Sequence, residues 1–143
     1  MKVKISAPNR LIIAKLEKGD DIYKSLSKIV LDNDIKTGVL WMIGAVAKAR
    51  IGYFNEESRK YEVHEINEPC EISGVSGNIS LKNGKPFVHA HIHVSDKTGK
   101  TYGGHLLEGN IISVTGELFI LESKETIERK KDPAFDLDLF AIE

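Results

Sequence analysis

Residues Pro86 to Gly109 read PFVHAHIHVSDKTGKTYGGHLLEG and hold four of the five histidines in the chain. Side chains alternate across a strand, so His89, His91 and His93 share one face of FVHAHIHV, while Val88, Ala90, Ile92 and Val94 share the other. The second set is a core face. The imidazoles stand on the opposite side, in water, in a cleft or against another chain. The turn DKTG sets the register of the returning strand. With Lys97-Thr98-Gly99 as the loop and Gly99 in the left-handed position, Asp96 pairs with Lys100, His93 faces Gly103 and His91 faces His105. Tyr102 and Leu106 then fall on the apolar face, so pattern and turn chemistry agree on one register.

In that register the β-carbons of His91 and His105 stand about 4.5–5.5 Å apart, and His89 lies roughly 6.6 Å along the strand from His91. Three imidazoles so placed can converge on one ion through bonds of about 2.0–2.1 Å. The competing reading of the same spacing is a histidine-rich solvated face. If an ion binds, neutral nitrogen ligands favour zinc ahead of iron, nickel or copper. Three histidines leave a fourth position for water, substrate or a carboxylate, which is the catalytic pattern rather than the closed structural one. His93 ranks below the other three, as a fourth ligand or a nearby base. His64, in YEVHEI, reads as a rim histidine. Gly103 removes a side chain opposite His93, and the glycine pair is also a candidate bulge.

Working outward, Asp20 or Asp21 caps a helix in which Ile22, Leu26, Ile29 and Val30 recur at helical spacing, to about Asn33. The rest reads mostly as strand: RLIIAKL before the helix, then GVLWMIGAV, KARIGYF, KYEVHEI, CEISGVSGNISL, FVHAHIHVS, KTYGGHLL and IISVTGELFILES. Turn signals at 55–58, 83–84, 96–99 and 108–110 separate them. The fold class expected is α+β, a mixed, largely antiparallel sheet with a main amphipathic helix packed on it. AFDLDLF alternates apolar and acidic residues as a last edge strand. It closes the core of its own chain or docks on a neighbouring subunit.

The 143 residues fit one domain spanning 1–143, and a formal net charge of −1 with 29% charged residues places the chain in the ordinary globular class. The lone Cys70 excludes an internal disulfide framework and a cysteine-rich zinc motif. The N-terminus lacks the apolar run of a signal peptide, and the longest apolar stretch, GVLWMIGAVA, is far below the roughly 20 residues of a membrane helix. A cytoplasmic protein without a membrane partner is expected.

The segment PFVHAHIHVSDKTGKTYGGHLLEG, followed by ISVTGELFI with Glu117, resembles the plants-and-prokaryotes conserved (PPC) domain family in its stand-alone prokaryotic form. EISGVSGNIS and the early strand–helix–strand extend the resemblance over nearly the whole chain. It implies a mixed sheet with a packed helix, a homotrimer, and a metal, zinc being the one expected, at His89, His91 and His105. His93 occupies a place that is usually apolar in the family. The fold is similar to a domain of α-acetolactate decarboxylase, a zinc enzyme with a histidine-built site.

Three functions follow for weighing. One is a metal-dependent enzyme or small-molecule binder, with Glu117 or Glu71 as acid or base. A second is a DNA-binding or regulatory module. Against it, the Arg-Gly-Arg-Pro hook of plant relatives is absent, and the compact basic group ERKKD at 128–132 reads as a solvated turn between acids. The third is a trimeric scaffold tied together by the ion. The sequence specifies no substrate and leaves open whether the protein is an enzyme.

Overall fold

The computed structural model describes residues 1–142. Its elements run β1 (Pro8–Leu16), α1 (Ile22–Asp32), β2 (Gly38–Asn55), β3 (Lys60–Ile66), β4 (Cys70–Lys82), β5 (Lys85–Ser95), β6 (Thr101–Leu106), β7 (Ile111–Ser123), β8 (Glu128–Asp132) and β9 (Leu137–Phe140). All pairings are antiparallel except β4 with β8, so the sheet is mixed. The architecture is dominated by that sheet. The helix is a single 11-residue element, a smaller part than the α+β expectation gives it.

The two segments GVLWMIGAV and KARIGYF form one 18-residue strand, β2, because its two halves serve different neighbours. The first half lies between β7 and β4, and the second half takes up β3 and β6. The change of partners falls after Val46 and Lys48, the last residues paired with β4 and β7, and β3 takes over from Ala49; just before it, at Gly44, the registers shift on both edges. Gly44 itself is tightly confined. Its φ of 151° and the 2.0 Å that would separate a Cβ there from the Thr115 carbonyl oxygen leave room for glycine alone. Since β4 pairs with β5 and β5 with β6, strands β2, β4, β5 and β6 close a circuit.

The helix begins where Asp21 Oδ1 accepts from the Lys24 amide at 3.2 Å, and ends at Asn33. Ile22, Leu26 and Val30, four residues apart, make its buried face. That face packs against β5 and β7, over a core that includes Leu40, Met42, Val75, Ile79, Ile92, Val94, Leu118 and Ile120. Asn110, wholly buried, ties the β6–β7 turn to β2. It accepts from the Arg50 amide at 3.0 Å and donates to the Arg50 and Leu107 carbonyls at 2.8 and 2.7 Å.

ERKKD is strand β8, not a solvated turn. Leu81 and Lys82 of β4 pair with Glu128 and Arg129, and Arg129 is only 7% exposed. The charge run hides a tertiary fact: Asn78 and Ser80 on β4 offer acceptors that draw one guanidinium inward. The tail forms β9, paired with β8 at the sheet's end and half exposed.

Near the other end, the buried Glu122 carboxylate accepts from Asn9 at 2.7 Å and from both Nε and Nη2 of Arg10 at 2.6 and 2.9 Å. These bonds hold its pKa below the ordinary carboxylate value, the Arg10 hydrogen bonds contributing most. The stabilisation is therefore present above the unfolded-state value of about 4.3 and is lost as pH falls through the lower folded value. Glu122→Gln should cost about 1–2 kcal/mol at pH 7, read by urea unfolding, and the deficit should shrink steadily below pH 4. A deficit independent of pH would assign it to packing instead.

Candidate metal centre

The histidine strand and its partner follow the register that the turn dictates. His91 is opposite His105, His93 opposite Gly103, and Ser95 opposite Thr101. Gly99 has φ of 83°, and Asp96 Oδ1 accepts from the Thr98 and Lys100 amides at 2.8 and 3.1 Å, fixing the loop. Val88, Ala90, Ile92, Val94 and Leu106 are buried. The pairing through Gly103 and Gly104 carries no register shift, so no bulge re-aims His105. Gly103 lets the His93 ring lie across it, because a Cβ there would sit 2.6 Å from His93 Cδ2. Gly104 admits β2: a Cβ would meet the Gly52 carbonyl oxygen at 2.7 Å.

His89, His91 and His105 come together. One ring nitrogen from each lies within 4.8 Å of the other two, and the ring centroids are 5.1 to 5.6 Å apart. Two nitrogens on one ion stand at most about 4.2 Å apart, so small side-chain rotations complete the convergence. Among the described residues no carboxylate or thiol joins the group at that distance. Glu117 and Glu71 line a separate depression beside Gly44. His93 and His64 are exposed and stand outside the group.

The cluster's chemistry fits a metal ion. Among the described residues His105 Nδ1 is buried without a hydrogen-bond partner, a costly state that coordination at that nitrogen would relieve. Burial, with His91 adding to it, lowers the pKa of His105. Burial, then Arg129 and the neighbouring imidazoles, lowers that of His89 to about 4. Both rings are therefore neutral at pH 7, as ligands must be.

Sequence reasoning missed two neighbours. Tyr61 of β3 lies against His105, ring centroids 4.8 Å apart, over Gly52, which pairs with His105. Arg129 Nη2 stands 3.3 Å from His89 Nδ1. Nothing in KYEVHEI marks Tyr61, and Arg129 sits inside a charge run. A guanidinium only donates, so His89 Nδ1 is the acceptor there and Nε2 carries the ring proton. Binding an ion at either nitrogen of a neutral His89 breaks that contact. Beside both residues opens a pocket of about 220 Å³, lined also by Lys82, Phe87, Leu137, Asp138 and Leu139.

The histidine face continues across the sheet. Ile13, Phe119, Trp41, Ser76, His91 and His105 stand in direct register on β1, β7, β2, β4, β5 and β6. Ile13 and Trp41 are 67% and 44% exposed, and Trp41 stacks on Phe119 at 6.0 Å.

Sheet, hairpin and histidine cluster together define a β-rich domain with a three-imidazole site on one face. The family model of the Plants and Prokaryotes Conserved (PCC) domain matches residues 4–124, and the chain belongs to that family. A metal-containing protein of Archaeoglobus fulgidus is 33% identical, with a TM-score of 0.89 and 99% of each chain covered. A plant- and prokaryote-conserved (PPC) protein of Pyrococcus horikoshii is 32% identical, with a TM-score of 0.90, covering 99% of this chain and 97% of that one. A structure from Bacteroides thetaiotaomicron described as a "putative dna binding protein" is 26% identical, with a TM-score of 0.88, covering 97% of this chain and 99% of that one. Among curated proteins, the bifunctional protein GlmU of Synechococcus sp. (strain JA-2-3B'a(2-13)) is 30% identical over 84% of this chain, which spans only 18% of that relative. No helix among the described residues is long and apolar enough to cross a membrane.

Gly104→Ala should force β6 away from β2 and displace His105. We expect a loss of about 1–3 kcal/mol in urea unfolding, whereas Gly103→Ala, whose Cβ would crowd chiefly the exposed His93 ring, should leave stability nearly unchanged.

Proposed function

We propose that the chain holds one zinc ion at His89, His91 and His105 and serves chemistry on a small molecule in the adjoining pocket. The observation that carries this reading is the convergence of three ring nitrogens within 4.8 Å. Three neutral nitrogens suit zinc among the available metals, and a three-histidine set keeps a coordination position open. Such an ion, when bound, polarises a carbonyl or activates water. The name of the Archaeoglobus relative, metal-containing, supports the reading. The chain's own residues orient and shelter what enters. Burial raises the pKa of Tyr61, so its phenol stays protonated at pH 7 and available as a donor. Phe87, Leu137 and Leu139 line the pocket with apolar surface.

We further propose assembly as a homotrimer through the exposed apolar row containing Ile13 and Trp41. Burying such side chains contributes roughly 1.5–3 kcal/mol each, and a monomer has little other reason to expose them in one contiguous strip. DNA binding, which the Bacteroides neighbour's description raises, is the weaker reading for this chain. Of the basic group at 128–132, Arg129 is buried and Lys131 is paired with Asp136 at 2.7 Å, leaving few cations for phosphates.

Elemental analysis of untagged protein should find one zinc per chain, and less than a tenth of that in His91→Ala and His105→Ala. A stoichiometric ion retained by His91→Ala would end the reading. Light scattering should give three times the chain mass of 15.9 kDa, and Trp41→Asp should reduce it to one chain; a monomeric native protein refutes the trimer. Fluorescence anisotropy with duplex DNA at low salt should stay flat, and salt-sensitive binding would restore the DNA reading.

A further inference from the structure

We propose that the pocket beside the histidine cluster binds a short-chain organic carboxylate with Arg129 as its principal ligand, and that this anion and the metal ion strengthen each other's binding. The coupling rests on the zinc reading above; the anion site does not.

Arg129 is a buried cation whose direct partners are all neutral. Its Nε donates to Ser80 Oγ at 2.7 Å, Nη1 to the Asp138 carbonyl at 2.8 Å, and Nη2 to Asn78 Oδ1 at 2.7 Å and, at 3.3 Å, to His89 Nδ1. The rings of Phe87 and Phe140 lie 5.5 and 4.8 Å from its central carbon. Among the described residues no carboxylate comes within 4.0 Å of the guanidinium; the Asp138 carboxylate acts on it only at longer range and is engaged by Lys82 at 2.6 Å. A guanidinium cannot shed its proton, and a buried charge without a counter-charge is costly. Aromatic faces offset only part of that cost. The pocket lining holds two cations, Lys82 and Arg129, against one carboxylate, Asp138. An anion entering the pocket supplies the direct counter-charge that Asp138, held by Lys82, does not.

The donors and walls select its class. One Nη1 hydrogen of Arg129 is uncommitted, and the hydrogen aimed at His89 makes the longest of its contacts. Two such donors match the two oxygens of a carboxylate. Phe87, Leu137 and Leu139 then face an apolar chain rather than further oxygens. The volume, about 220 Å³, equals roughly seven waters, enough for a few carbons.

The coupling follows from the shared atom. An ion on His89 breaks the Arg129–His89 contact, leaving a buried donor without an acceptor beside a second positive charge. A carboxylate accepts that donor and sets a negative charge between them. Binding of either ligand therefore favours the other, and the factor is the same in both directions.

The test is titration calorimetry of the full-length protein, chelator-treated and zinc-loaded, with butyrate, succinate and inorganic phosphate. A carboxylate should bind both forms, at least tenfold tighter with zinc. Arg129→Met should lose that affinity by tenfold or more, and Lys82→Met severalfold. If Arg129→Met fails to fold by circular dichroism, Arg129→Lys, which keeps charge but not the fork, should still weaken binding about tenfold. Absence of carboxylate binding to both forms, or phosphate binding in its place, overturns the proposal. So does wild-type affinity in a folded Arg129 variant. Equal affinity with and without zinc removes the coupling. Carboxylate binding to a protein that takes up no zinc supports the anion site while sinking the metal reading alone.

Discussion

Strand β6 is held on both edges, and the histidine site depends on how tightly. On one side the Asp96–Gly99 turn fixes its register against β5, so that His91 and His105 face each other. On the other, Gly104 lets the Gly52 carbonyl of β2 come closer than any side chain would allow. A slip of one residue would turn His105 into the core and Leu106 into solvent. The closed circuit of β2, β4, β5 and β6 resists that slip, because every strand in it has two partners whose registers must change together.

The same alternation divides the domain's labour between two faces. One face of β5 packs under α1 with Ala90, Ile92 and Val94. The other carries the imidazoles and runs into the apolar row through Ser76, Trp41 and Phe119. The histidine cluster and the exposed apolar row thus lie on one side of the sheet. Toward the end of the strand order, β8 brings a guanidinium against the cluster, and among the described residues no carboxylate bonds to it directly.

Much of this was legible in the residues. The helix between Asp21 and Asn33, the strands and the hairpin register all follow from local rules: a side-chain oxygen at an N-cap, apolar periodicity, and glycine where φ is positive. The grouping of His89, His91 and His105 followed from register alone. Local rules failed where the decisive partner is distant. The apparent break in β2 is a change of neighbours between Val46 and Ala49, and ERKKD became a strand because β4 offered it an edge and two polar acceptors.

The sequence by itself determined most of the strands, the helix and the three histidines that share a face, since a period of two and a four-residue turn need no knowledge of the rest of the chain. Only the tertiary structure decided that Tyr61 and Arg129 border those histidines, that Glu71 and Glu117 do not, and that the imidazole face is continuous with exposed Trp41 and Ile13. Those juxtapositions join residues many positions apart. They are set by which strand edges meet, and an edge's choice of partner is made by the packing of the whole sheet.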